Sequence, residues 1–71
     1  MKESVFRENI KKNIKEYRLL YKMTQGELAE KLGGKKSLVS NYENGHSVPD
    51  IFTLIELADI FDITVDELIG R

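Results

Sequence analysis

Lys35, Lys36, Ser37, Ser40 and Asn41 follow one another closely in the middle of the chain, with Asn44 just beyond. Side chains of these types do not suit covalent catalysis. They donate and accept hydrogen bonds and neutralise anions, which is what phosphate oxygens and base edges can accept from a protein. The rest of the chain narrows the chemistry further. A single histidine, His46, and no cysteine leave no nucleophile–base–orienter set and argue against a structural zinc site. Asp59, Asp62, Asp66 and Glu67 lack the spacing of a metal loop and read as a solvated acidic face or a partner surface. Tyr17, Tyr21 and Tyr42 follow helical spacing, so they read as core or core-edge aromatics and not as base-stacking platforms. No enzymatic activity, cofactor or metal is expected.

Charge supports an anionic partner only when it is located along the chain. The net charge is −1, yet residues 1–36 hold ten basic side chains against five acids, and residues 37–71 hold Arg71 against seven acids. Such segregation can give one positive and one negative face, and the local potential matters more for docking than the sum. The polar N-terminus does not read as a signal peptide, and no apolar run approaches the roughly 20 residues of a membrane span. A cytoplasmic protein with no membrane association is expected.

Those polar residues need rigid elements beneath them. At 71 residues, with 41% hydrophobic content, the chain suits one domain spanning 1–71 with one core. Apolar periodicity predicts helices over about 4–22, 24–32, 36–44, 51–61 and 65–69, with no strand signal. Phe6, Ile10, Ile14, Tyr17 and Tyr21 stripe the first, with Ser4 as its expected cap. Thr24-Gln25-Gly26-Glu27 and Thr64-Val65-Asp66-Glu67 have the capping-box form, and Asp50 is expected to cap the fourth helix. Gly33-Gly34 and Asn44-Gly45 mark stops. Leu28, Ala29, Leu32, Val39 and Tyr42 are expected inside, as are Ile51, Leu54, Ile55, Leu57, Ala58 and Phe61 of the fourth helix; Val65, Leu68 and Ile69 complete the set.

Two short helices joined by a tight turn must cross closely, with a small residue at the crossing (Ala29) and a glycine at the turn (Gly33). The run from Thr24 to Gly33, followed by Val39-Ser40-Asn41-Tyr42-Glu43-Asn44-Gly45, resembles the phage repressor and Cro-like helix-turn-helix family, also called the Xre family. The likeness extends over about Ile10 to Ile69. It implies an all-α, compact five-helix, lambda-repressor-like DNA-binding domain. By this resemblance, Lys36, Ser37 and Asn41 would contact bases, while Gln25, Lys35, Ser40 and Asn44 would contact phosphates, with Gln25 also bracing the third helix. Arg18 and Glu43 would form a structural ion pair. Two positions depart from the family pattern. Gly34 stands where an apolar residue usually plugs the turn, and Lys35 stands where Ser or Thr usually caps the third helix. A loosened turn is therefore expected, with the third helix frayed at its start or beginning at Ser37.

The function implied is a sequence-specific transcriptional regulator that reads the major groove of double-stranded DNA. A homodimer through helices four and five, near Asp62 to Ile69, would match a pseudo-palindromic operator. The alternative is an antitoxin-like or regulatory protein-interaction module on the same fold, which the acidic second half favours.

Overall fold

A computed structural model describes residues 2–71; Met1, part of the expected 1–71 span, lies outside the described residues. Five helices follow in order: α1 Glu3–Leu20, α2 Gln25–Lys31, α3 Lys36–Asn44, α4 Ile51–Phe61 and α5 Val65–Ile69. No strand occurs among the described residues, and no helix is long and apolar enough to cross a membrane.

Local chemistry explains most starts. Thr24 and Thr64 each accept from the backbone N–H three residues on, while the Glu27 and Glu67 carboxylates accept from the threonine N–H groups. The Asp50 carboxylate accepts from the Thr53 N–H at 2.8 Å, which holds its pKa below the ordinary carboxylate value. The backbone and hydroxyl bonds of Thr24 lower that of Glu27 in the same way. Ser4 does not cap α1: it lies inside the helix, one residue after Glu3, and Lys2 occupies the cap position without a side-chain bond.

The helix ends share one device. At α2 the Gly34 N–H donates to the Ala29 carbonyl and the Gly33 N–H to that of Glu30, with Gly33 left-handed at φ 75°. At α1 the same bonds form around Lys22, with φ 57°, and at α4 the chain turns at Asp62, with φ 53°. Neither residue is a glycine. Because Lys22 is the left-handed residue, α1 stops at Leu20 and not at the expected Lys22.

Ile10, Ile14, Leu28, Ala29, Val39, Tyr42, Leu57, Phe61 and Leu68 form the core, with Phe61 stacked on Tyr17 at 5.5 Å and on Tyr21 at 6.1 Å. The Tyr21 hydroxyl donates to the Phe61 carbonyl. Two asparagines tie the first helix to the last: Asn13 donates to the Leu68 carbonyl at 2.9 Å and Asn9 to that of Ile69 at 3.2 Å.

The fourth helix departs from expectation. Leu57, Ala58 and Phe61 are buried, but Ile51 is 55% exposed, Ile55 is 44% exposed and Leu54 is only half-buried. Phe52 is 73% exposed. Apolar residues surround this helix on more than one side, and the core can cover only the side facing α1 and α5. Ile51, Phe52 and Ile55 remain together on the surface at its start.

Gly34 also has a different role from the one expected. A Cβ at this position would stand 2.6 Å from Leu38 Cδ2, so the leucine side chain occupies the space over the turn and the glycine makes room for it. The turn is plugged from within α3. We expect Gly34→Ala to push the end of the Leu38 side chain aside, and so to be less favourable in the native background than alongside Leu38→Ala. The two sites should couple by about 0.5–3 kcal/mol in a denaturant double-mutant cycle. An equal cost in both backgrounds would remove Leu38 from this role.

Candidate nucleic-acid interface

The capping box starts α2, the left-handed Gly33 ends it, and Leu38 anchors the first turn of α3 against the connection between them. The helix begins at Lys36, not Ser37. Lys35 is its cap residue, extended at φ −97° and ψ 162°, and makes no side-chain capping bond, as its chemistry requires. The Leu38 N–H instead donates to the Lys35 carbonyl at 2.9 Å.

With 3.6 residues per turn, Val39 and Tyr42 face inward, and burial raises the Tyr42 phenol above its ordinary pKa. Positions 36, 37, 40, 41 and 44 then share the other side. Lys36, Ser37, Asn41 and Asn44 are exposed there and Ser40 is half-buried. The Asn44 amide donates to the Ser40 hydroxyl at 3.3 Å, which orients both. Lys35 is exposed at the start of this surface, and His46 is exposed in the loop after it.

Behind the surface lies a polar network that spans three helices. Arg18 Nε donates to Glu43 Oε2 at 2.6 Å and Nη2 donates to Oε1 at 3.1 Å, with the two side chains 10% and 4% exposed. Arg18 Nη1 donates to the Met23 carbonyl at 2.8 Å, joining the end of α1 to the approach to α2. Gln25 Nε2 donates to Glu43 Oε1 at 3.2 Å. Glu43 thus accepts from Arg18 on α1 and Gln25 on α2 while sitting on α3. Such a bidentate pair sets register more than it adds net stability, because desolvation offsets much of the attraction.

The structure therefore gathers Lys35, Lys36, Ser37, Ser40, Asn41 and Asn44 on one surface, with the half-buried Gln25 amide tied to Glu43 at its edge. The bond to Glu43 gives Gln25 the bracing role toward α3 that the resemblance implies; the acceptor itself follows only from the crossing of α2 and α3. The exposed apolar start of α4 was missed; an apolar run longer than one helical face was its only available sign. Among the described residues, no group of histidines, cysteines or acids is placed to hold a metal ion.

The family model described as Helix-turn-helix matches residues 14–68. The chain is 32% identical, over 87% of its length, to the cryptic phage CTXphi transcriptional repressor RstR of Vibrio cholerae serotype O1, of which it covers 55%. It is 38% identical, over 84% of its length, to the HTH-type transcriptional regulator ImmR of Bacillus subtilis, of which it covers 47%. It is also 49% identical, over 61% of its length, to the HTH-type transcriptional regulator AnsR of Bacillus subtilis, of which it covers 37%. The chain thus spans about half the length of these relatives, or less. No solved structure matches it. With most of its residues inside the matched model and its helices in the order described, the chain belongs to the helix-turn-helix family of phage-repressor and Cro-like (Xre) DNA-binding domains.

Proposed function

We propose that this chain is a sequence-specific regulator of transcription that places α3 in the major groove of double-stranded DNA. One observation carries the reading: Lys36, Ser37 and Asn41 stand exposed on one side of a helix whose other side is locked into the core. On this reading these three contact base edges, and Gln25, Lys35, Ser40 and Asn44 hold phosphates. The names of the relatives, a phage repressor and two transcriptional regulators, support the same class. The protein acts in the cytoplasm.

A single module of this size buries little DNA surface, so two copies on a pseudo-palindromic site supply the remaining affinity. The contact between them runs through α4 and α5. Its centre lies at Ile51, Phe52 and Ile55, because residues 62–69 present the exposed acids Asp62, Asp66 and Glu67.

Selection of bound sequences from a random duplex pool tests the whole reading. We expect a two-fold consensus with half-sites about one helical turn apart. On that consensus, Asn41→Ala should cost about 1–3 kcal/mol and relax preference at one position, whereas Lys35→Ala should weaken all sequences alike. No enrichment, with binding indifferent to salt, would favour the protein-interaction module instead.

A further inference from the structure

Residues 3–13 of α1, about three helical turns, lie before the segment that the family model matches. Arg7 and Lys11 lie in those turns, and with Arg18 they run along one edge of the helix. Arg18 meets Glu43, so this edge borders α3. Further along it, the Lys11 stem packs against the end of α3: a Cβ built at Gly45 would be 3.3 Å from Lys11 Cδ. Arg7 and Lys11, with Asn44, Ser47 and the Gly45 backbone, line a cleft of about 200 Å³. Asn44 closes the surface that α3 presents outward, so the cleft continues that surface past the end of the helix.

We infer that Lys11, with Arg7 beside it, forms a phosphate clamp at the C-terminal end of α3, holding a DNA backbone phosphate beyond the bases that α3 reads. This rests on the DNA-binding reading above. A helix lying in the major groove has a phosphate strand near each end, and Lys35 serves only the N-terminal one. The last turn of α3 holds no basic residue, so α1 must supply the cation there. Lys11 is suited to this. Its side chain is 39% exposed, so its stem is already ordered by packing while the ammonium reaches solvent. The amide of Asn44 and the hydroxyl of Ser47 are further donors in the cleft.

Two acids compete for these cations. Glu8 also lines the cleft and pairs with Lys11 at 3.5 Å, and Glu3 pairs with Arg7. Both are solvent-exposed pairs within one helix, a class that holds its partners weakly, so a phosphate can displace the carboxylates. The competing role for Lys11 is purely structural: a cation beside the negative end of the α3 dipole.

The salt dependence of DNA binding separates the two roles. Binding of the selected duplex, carried with extended flanks, is measured from low salt upward for the native protein, Lys11→Gln, Lys11→Arg, Lys12→Gln and Lys35→Ala. Lys11→Gln should reduce the slope of log K against log salt by about 0.9, the value for one phosphate. Lys11→Arg should keep the native slope. Lys12→Gln, rotated about 100° around α1, should keep it too. A native slope in Lys11→Gln overturns the clamp even if affinity falls, because stabilising α3 changes affinity without changing the number of phosphates held. If Lys35→Ala alters the slope and Lys11→Gln does not, the clamp fails and the DNA-binding reading stands. If the native protein shows no salt-dependent binding, both fail.

Discussion

Glu43→Ala is expected to remove about 3–5 kcal/mol of folding stability, the cost of leaving one partner of a buried ion pair without the other. A chain of 71 residues has about 4–10 kcal/mol in total, so the variant should be largely unfolded well below the native melting temperature. The size of the effect comes from what remains. Arg18 is buried, and without Glu43 it keeps only the Met23 carbonyl as partner. Gln25 loses its acceptor at the same time. Replacing both partners by apolar side chains of similar volume, Arg18→Met with Glu43→Leu, should recover most of the loss, because no charge is then left without a partner. Denaturant midpoints at constant m-value measure both variants. A single variant costing under about 1 kcal/mol would mean that water reaches the pair freely.

Phe61→Ala should be comparably damaging, at about 3–5 kcal/mol. The ring is fully buried and stacks on both Tyr17 and Tyr21, so truncation leaves a cavity that the two aromatic rings cannot fill without leaving their own positions. Tyr21 is further restrained by its hydroxyl bond to the Phe61 carbonyl, which the substitution leaves in place. Phe61→Leu should cost markedly less, since it keeps most of the volume and loses chiefly the ring contacts, which contribute about 0.5–1.5 kcal/mol. Equilibrium unfolding of the pair checks this. Equal losses for leucine and alanine would show that ring stacking, and not filled volume, dominates the site.

What could be read from the residues alone divides by how local the cause is. The caps at Thr24, Asp50 and Thr64 depend on side chains reaching a backbone group three residues away, so their signature is complete within four positions. The outward face of α3 follows in the same way from helical spacing. The failures all need a third dimension. Lys22 turns left-handed without being glycine, and nothing in its neighbours announces that. Gly34 stands where an apolar plug is usual, and only the folded chain shows Leu38 filling that space. The apolar residues of α4 fit more than one buried face, and periodicity could not select the side that α1 and α5 cover. The bracing role of Gln25 was legible from the resemblance, but its acceptor, Glu43, lies 18 positions away and is chosen by the helix crossing.

The asparagine bonds between α1 and α5 bear on how the molecule comes apart. A five-residue helix cannot sustain itself in water, so α5 is held by its capping box, its core leucine and the Asn9 and Asn13 amides. A Cβ at Gly70 would fall 2.3 Å from the Asn9 amide nitrogen, so the two segments touch with no slack. Fraying at the carboxyl end is thereby linked to the opening turns of α1, and amide hydrogens at the two extremes of the chain should exchange as a single unit.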